Sequence, residues 1–198
     1  ICEDVGALTP DIAATVIRQH APFVAAGVKY FLANLPHKTF RSGQDGYAKL
    51  EEVFPAGVKF IGEAISSGGR VFVHCNNGQN RSAAMVTAFV MHSRRWGFDR
   101  AYLHVRSIRP LVRTKLQDAL LQFEERLTAD EAAPLAFWKP PPSRPLSQLY
   151  DSNRAIAAFS ILEGDEGYVA SHEVAPRLWL GTQAAAGEVF AFEEDADA

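Results

Sequence analysis

The stretch VFVHCNNGQNRSAAM, residues 71–85, constrains this chain more than any other. An apolar, strand-like run ends in His74-Cys75. Five small or polar residues follow, then Arg81-Ser82, then a second apolar run. A buried strand that turns through a short polar loop into a buried helix makes an anion site. The first N–H groups of a helix have no partner within the helix and point outward, and the helix dipole adds positive potential at the same place. A cysteine at the mouth of such a loop is pushed toward thiolate by that field. Arg81 supplies a planar guanidinium whose fork matches two oxygens of a phosphate. Gly78 sits mid-loop, where the chain must turn tightly for backbone amides to converge. These parts describe a nucleophile beneath a cradle for a tetrahedral dianion, formed by residues 76–81: Asn76, Asn77, Gly78, Gln79, Asn80 and Arg81.

Flanking patterns place this loop in an α/β fold. Apolar spacing in residues 10–26, after Thr9-Pro10-Asp11, predicts a helix, and GVKYFLANL (27–35) a buried strand. PHKTFRSGQDGY (36–47) is a loop by its Pro, Gly and Ser content. In residues 48–69, Leu50, Val53, Phe54, Val58, Ile61 and Ile65 share one helical face. That helix stops at Gly68-Gly69, and Pro55 marks an expected break within it. SAAMVTAFVMH (82–92) is apolar all round and predicts a buried helix. Further helices are expected over 98–107 and 114–127. The expected architecture is a small mixed sheet, largely parallel at its centre and flanked by helices, with the loop at the C-terminal end of the strand at 71–74.

Strand, His-Cys, five residues, Arg-Ser and apolar helix together resemble the protein tyrosine phosphatase superfamily, and the loop HCNNGQNRS is most similar to its dual-specificity branch. An Arg six places after a given Cys arises by chance roughly one time in twenty, so the pair alone is weak. His74, Gly78, Ser82 and the apolar runs on both sides add the specificity. The resemblance covers roughly residues 27–127, including FPAGVKFIGEAISSGGRVFVHC before the loop end and AYLHVRSIRPLVRTKLQDALLQFEERL after it. It implies a cysteine-dependent phosphoprotein phosphatase that hydrolyses phosphotyrosine, phosphoserine or phosphothreonine through a cysteinyl-phosphate. In that scheme Cys75 is the nucleophile, Arg81 and the loop amides hold the phosphoryl oxygens, and Ser82 helps the thiolate leave. Asp45, thirty residues before Cys75 and between Gly43 and Gly46, matches the family's general acid. Competing readings stand beside each. Cys75 could be a buried small hydrophobe, Ser82 a helix cap and Asp45 an ordinary turn residue before Gly. For Arg106, Arg109 and Arg113 a solvated basic helix face is the expectation, with the Arg109-Pro110 turn resembling a family packing element.

The loop interior is uncharged, which disfavours highly charged lipid headgroups, and Asn80 stands where relatives often carry a small residue. A phosphate-binding pseudophosphatase, a phosphatase of non-protein phosphoesters and a sulfur-transfer domain are the alternatives to a phosphoprotein phosphatase. A net charge of −3 shows no global basic field, so nucleic acid is not an expected partner. Apolar runs fall short of membrane-spanning length. Two cysteines, Cys2 and Cys75, make neither a disulfide framework nor a zinc pattern. No metal or cofactor is implied, and a reducing compartment is expected: cytoplasm, with the nucleus as alternative.

The ends of the chain fit the family less well. The expected division is a catalytic domain over 1–132, a Pro-rich linker over 133–148 and a further segment over 149–198. The family's opening pattern I-x-x-x-L-x-L-G is not found before residue 27. ASHEVAPRLWLGTQAAA (170–186) resembles it instead, at the far end. Either a second domain of a tandem protein is cut short, or these are permuted strands of the first. The fragment is the expectation, because Ile1 is not a natural start.

Overall fold

A computed structural model describes residues 27–44, 49–129, 171–182 and 185. The expected helix over 10–26, the Pro-rich linker, Cys2 and Asp45 lie outside the described residues.

The helical block follows from its apolar spacing. Helix α1 (Leu50–Ser66) buries Leu50, Val53, Phe54, Gly57, Val58 and Ile61, one stripe at helical period. It is continuous through Pro55, where a break was expected. One proline near the N-terminal end removes one helical donor, and the buried stripe on both sides holds the helix together. Ser42 Oγ accepts the Leu50 N–H at 2.9 Å and serves one of the first-turn donors. Strand β1 (Val71–Cys75) follows, and beyond the loop helix α2 (Arg81–Arg94) is buried at every position from Ser82 to Met91. Helix α1 approaches α2 closely at Gly57, where a Cβ would stand 2.4 Å from Met85 Sδ. Helix α3 (Phe98–Ile108) buries Phe98, Ala101, Tyr102 and Val105, and α4 (Gln117–Thr128) buries Ala119, Leu120, Phe123 and Leu127. Helix α4 begins three residues later than its apolar spacing predicts, because residues 113–116 are used in a turn. There Thr114 Oγ1 accepts the Leu116 N–H at 3.1 Å.

The segment 27–35 differs from expectation. Its later residues, Ala33 to Leu35, are buried, yet it forms no strand. Asn34 has a φ of 43°, a left-handed conformation that interrupts an extended ladder. Apolar character here reports burial against the core, and burial does not require a paired neighbour.

The sheet is completed from far along the chain. Strands β2 (Ser171–Ala175) and β3 (Leu178–Thr182) form an antiparallel hairpin, and β3 pairs in parallel with β1. The order is β1-β3-β2, with Val71 opposite Leu178 and Cys75 opposite Thr182. The turn between them is Pro176 followed by Arg177 at φ 66°, and the Arg177 N–H is taken up by Glu173 Oε1 at 2.9 Å. Leu178 and Leu180 are fully buried, and Val174 nearly so. Polar ties add to that apolar seal. Arg177 Nη1 donates to the Gly68 carbonyl, Val71 N–H donates to the Arg177 carbonyl, and His104 Nε2 meets the Val174 carbonyl. Among the described residues, no helix is long and apolar enough to cross a membrane.

Candidate active site

The loop between β1 and α2 lies at the C-terminal end of β1. Cys75 is the last residue of the strand and only 2% exposed, so its thiol is shielded from open solvent. Ser82, in the first turn of α2, is fully buried, and its Oγ–H donates to Cys75 Sγ at 3.1 Å. Burial pushes the Cys75 thiol up. The Ser82 hydroxyl and backbone N–H, the Arg81 charge and the Asn80 backbone N–H together outweigh burial and hold the thiol below its ordinary range. The Arg81 Nε is buried with no hydrogen-bond partner among the described residues. A buried donor left in that state is costly unless something with a lone pair arrives.

The loop is held from behind through its carbonyls. Arg109 Nε donates to the Gly78 carbonyl at 3.1 Å, and the Arg113 N–H donates to the Gln79 carbonyl at 2.9 Å. In a planar trans peptide the carbonyl and the following N–H point in opposite directions. Fixing the Gln79 carbonyl outward therefore turns the Asn80 N–H to the opposite side, where it helps lower the Cys75 thiol. The same logic aims the Gln79 N–H away from Arg109. Gly78 has a φ of 63°, and a Cβ there would stand 2.5 Å from the Gly181 carbonyl oxygen of β3. Both the backbone conformation and the close approach require glycine. Asn76 and Asn77 are exposed, and Gln79 and Arg81 half-buried.

Asn80 is buried and joins three segments. Its amide nitrogen donates to the His37 carbonyl at 2.9 Å, and its carbonyl oxygen accepts the Lys115 N–H at 2.6 Å and the Thr114 hydroxyl at 3.4 Å. Lys115 Nζ in turn lies 3.1 Å from His37 Nε2. A small residue could not make these bonds, so the departure noted at Asn80 ties the loop to residues 37 and 114–115.

Of the residues singled out in the sequence, Cys75, Arg81, Ser82 and the loop 76–80 come together. Asp45 lies outside the described residues. Arg109 corrects the expectation of a solvated basic face: it is 1% exposed and turned inward onto the loop. The signal available in sequence was its place before Pro110, where the helix has to end. His172, which meets Arg109 Nη1 through its Nδ1 at 3.0 Å, carried no such signal.

The profile of the dual specificity phosphatase catalytic domain matches residues 24–126, just over half of the chain. Protein phosphatase Slingshot homolog 3 of Rattus norvegicus is 47% identical over 55 residues, covering 28% of this chain and 8% of that protein. Dual specificity protein phosphatase 1-A of Xenopus laevis is 31% identical over 102 residues, covering 50% of this chain and 28% of that protein. A solved mouse putative dual specificity phosphatase, complexed with zinc tungstate, is 30% identical with a TM-score of 0.46, covering 52% of this chain and 62% of that one. The chain thus spans well under a third of the length of the curated relatives it matches here. With its profile matched across the loop and the helices on either side, the chain belongs to the dual specificity phosphatase family.

Proposed function

We propose that this chain is a cysteine-dependent phosphoprotein phosphatase, acting on phosphotyrosine and/or phosphoserine and phosphothreonine. The observation that carries the reading is the Ser82 Oγ–H donated to a buried Cys75 sulfur whose thiol is held below its ordinary range. A sulfur anion stabilised in that position is a nucleophile aimed into an amide-lined loop. Cys75 attacks phosphorus, and the bond from phosphorus to the substrate oxygen breaks. That oxygen leaves with a proton, for which Asp45 is the proposed donor. Arg81 and the loop amides hold the three equatorial oxygens throughout. Water then attacks the cysteinyl-phosphate, the S–P bond breaks, and inorganic phosphate leaves. The Ser82 hydroxyl stabilises the departing thiolate. The hairpin β2–β3 is read as part of this catalytic domain, because it supplies the strand beside β1 and the backbone on which Gly78 rests. A thiolate nucleophile works only while reduced, which suits the cytoplasm.

The test is hydrolysis of phosphotyrosyl and phosphothreonyl peptides in the presence of chelator. Wild-type protein should release phosphate and be inhibited by vanadate. Cys75→Ser should retain phosphopeptide binding and lose turnover by about 10³-fold or more, as nucleophile removal does elsewhere. Wild-type turnover in that variant would refute the assignment of the nucleophile.

A further inference from the structure

We propose that His172 is a positioning residue for the phosphate loop: its ring holds Arg109 in the orientation that fixes the Gly78 carbonyl and so aims the Gln79 N–H into the cradle. His172 lies 63 positions from Arg109 in sequence and arrives on β2, two strands away from Cys75 in the sheet. Arg109 is 1% exposed, so its guanidinium has left water and its orientation is set by the acceptors around it. Nε donates to the Gly78 carbonyl at 3.1 Å, and Nη1 donates to His172 Nδ1 at 3.0 Å. A guanidinium is planar and rigid, so two of its donors held at two points fix its in-plane direction. Loss of the imidazole removes one of the points that hold the guanidinium and loosens its grip on the 78–79 peptide.

Guanidinium nitrogens only donate. The contact therefore requires a neutral imidazole with a lone pair on Nδ1 and the proton on Nε2. Half-burial of His172, and then the Arg109 charge, both favour the neutral ring. The same hairpin places the Gly181 carbonyl against Gly78. The loop is thus held on this side by two parts of one remote element, a side chain acting through Arg109 and a backbone contact acting directly.

The proposal rests on the phosphate-loop geometry, and its test needs no turnover. Orthovanadate binding to the full chain, measured by titration calorimetry, is compared for wild type, His172→Val and His172→Gln, with thermal stability recorded beside it. Valine removes the acceptor, whereas glutamine can offer its carbonyl oxygen to the same donor. Vanadate affinity should fall about tenfold in His172→Val, the size of one charge-assisted hydrogen bond, and return to within about threefold of wild type in His172→Gln. A valine variant that melts earlier but binds vanadate as wild type does would make His172 merely structural and overturn the proposal. Nitrogen-15 NMR of the wild-type histidine rings gives a second arm that needs no variant to fold. The His172 ring should carry its proton on Nε2 with Nδ1 unprotonated at neutral pH, and a proton on Nδ1 would overturn the proposal. Absence of phosphoester hydrolysis by wild type would count against the phosphatase reading alone, because vanadate binding and ring protonation still decide the role of His172.

Discussion

The loop lies between two unlike regions. Residues 49–129 form a contiguous block that contains the proposed nucleophile Cys75, the Arg81 guanidinium and the Ser82 hydroxyl, each within a few positions of the next. Residues 171–182 contain none of these, yet provide the strand that pairs with β1 along its whole length and the backbone against which Gly78 turns. The block carries the loop with its proposed reacting groups, and the hairpin packs against that loop through Gly181 and pairs with the strand that leads into it. A site can therefore depend on an element that carries no reactive group of its own.

If the hairpin is as integral as the block, truncating either core should cost the same. Leu180 of β3 and Leu120 of α4 are both fully buried. Leu180→Ala and Leu120→Ala should each lower stability by about 2–5 kcal/mol in one cooperative urea transition. Two transitions, with the helical one unaffected by Leu180→Ala, would make the hairpin a separate unit. The contact between the regions is probed next by Gly78→Ala. The new methyl meets the Gly181 carbonyl, and the φ of 63° becomes strained. Displacement of a reacting group by about 1 Å costs on the order of 10²-fold in rate, so kcat/KM for phosphopeptide should fall by about that much. Gly62 in α1 gives the matched control, since a methyl there meets nothing within 4 Å. Gly62→Ala should raise stability by about 0.5–1 kcal/mol and leave kcat/KM alone.

The smallest effect lies inside the block. Burial raises the Glu124 carboxyl above its ordinary range, against the N–H of Phe98 that it accepts at 2.8 Å. The folded state thus binds this proton more tightly than the unfolded chain does. That favours folding below the ordinary carboxylate range, and the benefit is lost as pH rises through the raised value. Glu124→Gln keeps an acceptor for Phe98 without the charge. Stability at neutral pH should rise slightly, by under about 1 kcal/mol for a half-buried group open to solvent screening, and the gain should vanish in acid.

The two regions also differed in how far the sequence disclosed them. Helices α1 to α4 and strand β1 were legible because burial of one face imposes a period, and Val53, Phe54, Val58 and Ile61 carry it plainly. The meeting of Cys75, Arg81 and Ser82 was legible because all three belong to one short loop and its flanks. Pro55 and residues 27–35 misled for opposite reasons. A proline's local penalty was outweighed by packing, and apolar character at Ala33 to Leu35 was satisfied without a ladder. Residues 170–186 were recognisable as the family's opening pattern, but the pairing of β3 with β1 was left as one of two alternatives, since parallel pairing across a hundred residues leaves no periodic trace. For the same reason Arg109 passed for a surface cation. The acceptors that make its burial tolerable, at Gly78 and His172, are brought to it only by the fold.

The central claim is that Cys75 is a thiolate waiting in a cradle built for a tetrahedral anion. Its most direct test is the pH dependence of Cys75 alkylation by iodoacetate, followed by mass spectrometry, with and without inorganic phosphate. Alkylation at Cys75 should be half-maximal at a pH below the ordinary thiol range and slowed by phosphate. A Cys75 that reacts only at or above the ordinary thiol range, at a rate indifferent to phosphate, would contradict the account.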